Sequence, residues 1–325
     1  MKLIRGLHNL EPPASGCVAT IGNFDGVHLG HRVILEQVKA EAARRNLPSV
    51  VMVFEPQPRE YFQGEAAPAR LMRFREKLVA LREAGIDYVV CLQFNRRLRE
   101  LTAEQFVRRV LVEGLHLRHL VVGDDFRFGC DRAGDFQLLQ RQGQLLQSQG
   151  QALQAEPGQQ GFSVEHTRTV EIDGDRVSST RIRQVLAAGK LTEAERLLGH
   201  PYSMSGRVIH GEQLGRKLGV PTANLTLGRR RSPLAGVFAV EVEIGDQPAR
   251  PGVANLGTRP TVNGVRSLLE VHLLDFNELI YGRHLRVMFR ARLRDEKRFE
   301  SLDALKAQLA NDIAAARAFF SEGQD

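Results

Sequence analysis

Two histidines three residues apart, His28 and His31, stand among three closely spaced glycines, Gly22, Gly26 and Gly30, in the stretch TIGNFDGVHLGHR, Thr20 to Arg32. With CVATIG as a strand and HRVILEQV opening a helix, the glycines let the backbone turn sharply and come close to a ligand. The N-terminus of that helix offers unpaired amides and the positive end of a dipole, which suits a phosphate. Imidazoles three apart can share one side of it and donate hydrogen bonds to the charge that builds on a phosphoryl group during transfer. Two other readings stand beside this one. The histidines are surface turn residues, or they join Asp25 around a zinc ion, for which no fourth ligand is near in the sequence.

Three more stretches carry residue types that can do chemistry. In DRVSSTRIR, Ser179 and Thr180 fall at the start of a predicted helix, where hydroxyls either cap orphan amides or hold a phosphate. Arg176 and Arg183 flank them, and a guanidinium fork suits pyrophosphate. In HGEQLGRKLGVPTAN, glycine recurs every fourth residue at 211, 215 and 219 without Walker A spacing. The stretch reads either as a glycine-rich surface loop or as a flexible wrap for a triphosphate, with Arg216, Lys217, Thr222 and Asn224 supplying charge and oxygen ligands for Mg²⁺. In LLEVHLLDF, Glu270 and His272 share the strand face opposite Leu269, Val271 and Leu273. A carboxylate there is either solvated or able to accept the proton of an attacking hydroxyl. Asp125, in VVGDDFRFG, marks a strand end and turn.

The elements that must position these residues change character along the chain. CVATIG, PSVVMVFEP, IDYVVCLQF and RHLVVGDDF are short apolar runs separated by amphipathic helical segments, the rhythm of βαβ units around a buried parallel sheet. The glutamine-rich segment Arg141 to Gly161 reads as helix and then loop. Later, VFAVEVEIG and HLRVMFRARLR alternate apolar and polar residues as half-exposed antiparallel strands. Leu302, Leu305, Leu309, Ile313 and Phe320 then form one face of a closing helix. The expectation is an α/β domain followed by a mostly β domain, joined near Ala187 to Leu198. The 325 residues are ample for both.

Composition narrows the partners. A net charge of +7 favours anionic ligands such as nucleotides and phosphorylated metabolites. Three scattered cysteines, Cys17, Cys91 and Cys130, suggest reduced thiols in a cytoplasmic setting, and no apolar run approaches the length of a membrane span. A nucleic-acid regulator is disfavoured, since four tyrosines and no tryptophan leave few stacking platforms and the charge is dispersed.

Seven ordered blocks carry a resemblance to a known family: GNFDGVHLGH, FEPQPRE, VVGDDFRFG, VSSTRIR, GRKLGVPTANL, GVANLGTRPTV and LEVHLLDF. In that order they resemble the bacterial bifunctional riboflavin kinase/FAD synthetase family. The resemblance implies an α/β, Rossmann-like nucleotidyltransferase domain at residues 1–186, then an antiparallel β-barrel flavokinase domain with a C-terminal helix at residues 187–325. It implies two reactions that use ATP with Mg²⁺: phosphorylation of riboflavin to FMN by the second domain, and adenylylation of FMN to FAD with release of pyrophosphate by the first. It puts Gly22, Asn23, Phe24, His28, Gly30 and His31 at the ATP phosphates, with His28 and His31 catalytic. It adds Asp125, Arg176, Ser179, Thr180 and Arg183 to the nucleotide site. It makes Thr222 and Asn224 the Mg-ATP contacts of the kinase and Glu270 its base. The family often carries asparagine at Asp125's position and histidine at Gln57's. A related possibility is adenylylation of another phosphorylated acceptor, against which the β domain argues.

Overall fold

A computed structural model describes residues 1–10, 15–152, 161–211, 215, 218–229, 231–261 and 264–322. The chain separates into two compact units. One comprises residues 1–68 and 74–177, and the other residues 69–73 and 178–325.

The first unit is built on a six-stranded parallel sheet. Its strands are β1 (Lys2–Arg5), β2 (Cys17–Ile21), β3 (Ser49–Glu55), β4 (Tyr88–Gln93), β5 (Leu117–Val122) and β6 (Ser163–His166), in the order β1-β4-β3-β2-β5-β6. The near-continuous apolar runs expected of a buried parallel sheet are present, β2 being buried along its whole length. The helices of this unit are α1 (Leu29–Arg45), α2 (Pro58–Gln63), α3 (Phe74–Glu83), α4 (Arg96–Arg99), α5 (Ala103–Phe106) and α6 (Phe136–Ala152), and π-helical turns prolong α5 through Val107–Val112. The helical part of the glutamine-rich expectation coincides with α6, while residues 153–160 lie outside the described residues. From β2 the chain steps outward through β3 and β4, then returns to add β5 and β6 on β2's other side. That reversal creates a crevice outside the carboxyl ends of β2 and β5, where open α/β sheets bind ligands. A two-stranded hairpin, β7 (Glu171–Ile172) and β8 (Asp175–Arg176), completes the unit.

The second unit begins with two helices, α7 (Ser179–Ala187) and α8 (Leu191–Leu198), so the stretch expected to act as a joint is itself folded. A closed antiparallel barrel follows, made of β9 (Ser203–Ile209), β10 (Ala223–Thr226), β11 (Gly236–Ile244), β12 (Arg250–Thr261), β13 (Gly264–Leu273) and β14 (His284–Arg294), in the order β10-β13-β12-β11-β14-β9 with β9 pairing β10. Phe238, Val240, Val242, Leu269, Val271, Leu285, Val287 and Phe289 are buried, as the period-two pattern requires. The C-terminal helix α9 (Leu302–Glu322) covers Val237, Ala239 and Val253 with Ile313, Ala316 and Phe320. Leu302 departs from its expected place on this apolar face, being 59% exposed in the helix's first turn.

Candidate active sites

In the first unit, β2 ends at the crevice and the chain crosses to α1 through a loop in which Phe24 and Val27 take positive φ values of 46° and 41°. Such conformations are costly for side chains other than glycine and persist where packing enforces them. Phe24 and Val27 are both buried, which supplies that packing. His28 is the N-cap of α1, and its Nδ1 accepts the backbone N–H of His31 at 3.3 Å. With Nδ1 accepting, a ring proton of His28 belongs on Nε2. The two imidazoles stack at 3.6 Å with planes 18° apart, and Phe24 lies against His31 at 4.9 Å. A Cβ at Gly30 would stand 3.3 Å from the His28 ring, so glycine lets the cap seat itself.

Near-parallel imidazoles keep their lone pairs in separate, nearly parallel planes, which does not suit convergence on one ion. Among the described residues no group of three His, Cys, Asp or Glu can hold a metal, the trio of His28, His31 and Asp25 included. The His31 imidazole is held well below the ordinary histidine value, first by burial and then by the charges of His28, Lys77 and Arg176. It is therefore neutral at rest, in a positive field that an anion would offset. Its Nδ1 is buried with no hydrogen-bond partner among the described residues. Lys77, on α3, is 0% exposed and was not singled out by sequence, because one lysine on an amphipathic helix looks like a solvated residue.

Asp125 follows the carboxyl end of β5, and its Oδ1 accepts Arg176 Nη2 at 2.9 Å. Arg176 ends the β7–β8 hairpin, whose turn places Asp173 and Gly174 at positive φ. Asp-Gly between short strands is a strong hairpin signal, legible in EIDGDR but not used in the sequence reading. Gln57 caps α2 in reciprocal hydrogen bonds with Glu60.

Ser179, Thr180 and Arg183 belong to the second unit. The N-cap of α7 is Ser178, whose hydroxyl accepts the N–H of Arg181 at 3.2 Å, so capping falls one residue ahead of Ser179 and two ahead of Thr180. Arg183 Nε donates to Ala69 O at 2.6 Å, binding residues 69–73 to this unit.

The second site is a cleft of about 210 Å³ between the barrel's outer face and α9. Strand register sets its floor. Asn224 on β10 pairs with Glu270 on β13, Glu270 pairs with Asn255 on β12, and Asn255 pairs with Val237 on β11. All four line the cleft, with Leu305, Leu309 and Ile313 of α9 as an apolar wall. Thr222 and His272 line it too, and His272 Nδ1 lies 2.8 Å from Pro221 O. Two of the glycines expected to make a flexible wrap, Gly211 and Gly215, allow close approach to the cleft residues. A Cβ on Gly211 would come within 2.3 Å of the Asn224 amide, and one on Gly215 within 3.2 Å of Thr222 Oγ1. Arg216 and Lys217 lie outside the described residues. Glu296 reaches the cleft over Gly257, and its carboxyl is raised by desolvation, opposed by Arg294 and reinforced by Glu270.

Comparison with known proteins fits this two-site geometry. Residues 10–181 match the family model for FAD synthetase and residues 198–320 that for riboflavin kinase. A bifunctional riboflavin kinase/FMN adenylyltransferase of Escherichia coli K12 is 54% identical over 322 residues, 98% of each chain. The chain belongs to the bifunctional riboflavin kinase/FMN adenylyltransferase family. The protein of that name from Pseudomonas fluorescens is 55% identical over 319 residues, covering 98% of this chain and 97% of that one. A crystal structure named as a macrolide-efflux protein from Streptococcus pneumoniae superposes with a TM-score of 0.76 at 29% identity, covering 98% of this chain and 99% of that one. Among the described residues no helix is long and apolar enough to cross a membrane.

Within the family's two-site plan, the structure brings Gly22, Asn23, Phe24, His28, Gly30 and His31 onto one loop and helix start, and joins Asp125 to Arg176. It brings Thr222, Asn224 and Glu270 into one cleft. Sequence reasoning missed Asn255. It lies within the quoted block GVANLGTRPTV, and only strand pairing shows that it stands beside Glu270.

Proposed function

We propose that the chain makes FAD from riboflavin in two steps, with adenylylation assigned to residues 1–186 and riboflavin phosphorylation to residues 187–325. What supports this is that each unit holds a phosphate-directed constellation of its own, and that the cleft of the second offers a base between an oxygen-rich end and an apolar end.

For the kinase reaction, Glu270 accepts the proton of riboflavin's primary hydroxyl as that oxygen attacks the γ-phosphorus of ATP, and ADP leaves. Thr222 and Asn224 offer neutral oxygens on the nucleotide side, a donor set that fits Mg²⁺ held largely by phosphate oxygens. Mg²⁺ held there would supply neutralisation of phosphate charge. Val237 and the α9 leucines exclude water from the flavin ring.

For the adenylyl transfer, a phosphate oxygen of FMN attacks the α-phosphorus of ATP and pyrophosphate departs. His28 and His31 stabilise the charge that develops there, with the first amides of α1. Gly22, Asn23, Phe24 and Gly30 shape the loop that approaches the phosphates. Asp125 and Arg176 contribute to ATP binding from the β5 end and the hairpin. The partners are ATP, riboflavin and FMN, with neither nucleic acid nor membrane, in the cytoplasm.

The test is chromatography of flavins after incubation with riboflavin, ATP and Mg²⁺. The wild type forms FMN and then FAD. Glu270→Ala stops FMN formation and still converts supplied FMN to FAD, whereas His28→Ala makes FMN and no FAD. If either folded variant lost both reactions, the two-site division would be wrong.

A further inference from the structure

The cross-strand row in the cleft has a direction. It runs Asn224, Glu270, Asn255, Val237 across β10, β13, β12 and β11, from the glycine-rich loop towards the apolar wall of α9. Neighbouring strands lie about 4.8 Å apart, so Asn224 and Asn255 are separated by roughly 10 Å of backbone with Glu270 between them. Oxygens sharing one Mg²⁺ each lie about 2.1 Å from it, hence within about 4.2 Å of each other. Asn255 is therefore on the far side of the base from the nucleotide ligands. Its Oδ1 is buried and has no hydrogen-bond partner among the described residues. A buried carbonyl acceptor beside a cleft loses stability unless a ligand or water satisfies it.

We infer that Asn255 is a specificity-determining residue of the kinase site, accepting a hydrogen bond at Oδ1 from a secondary hydroxyl of a polyhydroxylated side chain on the alcohol substrate. This rests on the kinase reading above. The chemistry of the row matches an acceptor of three parts: an apolar ring over Val237 and α9, a polyol segment at Asn255, and a terminal hydroxyl at Glu270. Two chain hydroxyls bound on adjacent strands fix which one meets the base. Asn255 thereby selects acceptors with oxygens along the chain over simple alcohols of the same length.

The test compares riboflavin with a flavin bearing a 5-hydroxypentyl side chain, which keeps the primary hydroxyl and lacks the secondary ones. The wild type prefers riboflavin in kcat/KM by about tenfold, the loss that one unmade hydrogen bond to a buried acceptor produces. Asn255→Ala raises the KM for riboflavin by about tenfold, leaves the KM for ATP unchanged, and treats the two flavins alike within about twofold. FMN-to-FAD conversion and the thermal melt of each variant report folding. Asn255→Leu, which keeps bulk while removing both polar atoms, replaces the alanine variant if the latter melts early. Retained discrimination in a folded variant overturns the assignment, as does a rise in the KM for ATP that follows Mg²⁺ demand, or a wild type that does not discriminate. Wild type that phosphorylates neither flavin sinks the kinase reading and this inference together. Normal phosphorylation with unchanged discrimination sinks the inference alone.

Discussion

At the scale of single residues, the proposed adenylyl-transfer site turns on a histidine whose proton affinity is held down by its surroundings. His31 has a depressed proton affinity because burial, and after it the charges of His28, Lys77 and Arg176, disfavour the imidazolium. A triphosphate reverses the sign of that local field, so Mg-ATP should raise the His31 pKa, read by NMR titration of its ring proton with and without nucleotide. An unchanged value would place the phosphates elsewhere. The same depression links to stability. Because the folded value lies below the ordinary histidine value of 6.5, the contribution is complete above it and is lost as pH falls from 6.5 through the folded value. Urea stability of the wild type therefore declines on that acid limb more steeply than that of His31→Asn. The histidine pair was legible because a spacing of three behind a glycine-bracketed strand exit has few structural uses. Asn255 was not, since its meaning lies in which residue of another strand stands opposite it, and pairing of that kind depends on register rather than local pattern.

At the scale of elements, α9 both closes the cleft and is fastened by a buried charge. Asp312, 4% exposed, takes Arg294 Nε at 2.8 Å and Nη2 at 2.7 Å, and accepts Gln308 Nε2 at 2.8 Å. A bidentate fork fixes direction as well as distance, so it sets where Leu309 and Ile313 stand over the barrel. Asp312→Ala leaves the largely buried Arg294 fork without its carboxylate and should cost about 3 kcal/mol. Riboflavin affinity should fall with it while FMN-to-FAD conversion is retained, measured by denaturant unfolding and flavin fluorescence titration. An unaltered riboflavin affinity would show that the helix does not shape the acceptor end. The element reading from sequence succeeded where periodicity was sustained, in β2, α1, β11, β14 and most of α9. It failed at β1, whose four residues sit at a sheet edge with only Ile4 buried, too short to show alternation. Within the stretch named as the join between domains, Leu191, Ala194, Leu197 and Leu198 are buried at helical spacing in α8.

At the scale of the whole molecule, chain order and compact units disagree in one place, and the disagreement has a consequence. Residues 69–73 come from the first half of the sequence and belong by contacts to the second unit. Arg229, buried, donates Nη1 to Arg70 O at 3.0 Å and to Leu71 O at 3.1 Å; Tyr202 donates its hydroxyl to Leu71 O at 3.2 Å, and Arg73 donates to Ser205 O. With Arg183 on Ala69, four side chains of this unit or its segment take part in holding five residues supplied from far upstream. A fragment starting at Ser178 would keep the whole barrel and α9 yet lose these carbonyl acceptors and the buried Leu71. The loss of one apolar side chain and several hydrogen bonds to charged donors amounts to about 2–4 kcal/mol. For a unit of this size that corresponds to a melting temperature lower by roughly 5–10 °C. The comparison is calorimetry of the 178–325 fragment against the barrel's transition in the full chain. If the two melt together, residues 69–73 are passengers; if the fragment melts early, the kinase unit depends for stability on sequence that lies upstream of α3.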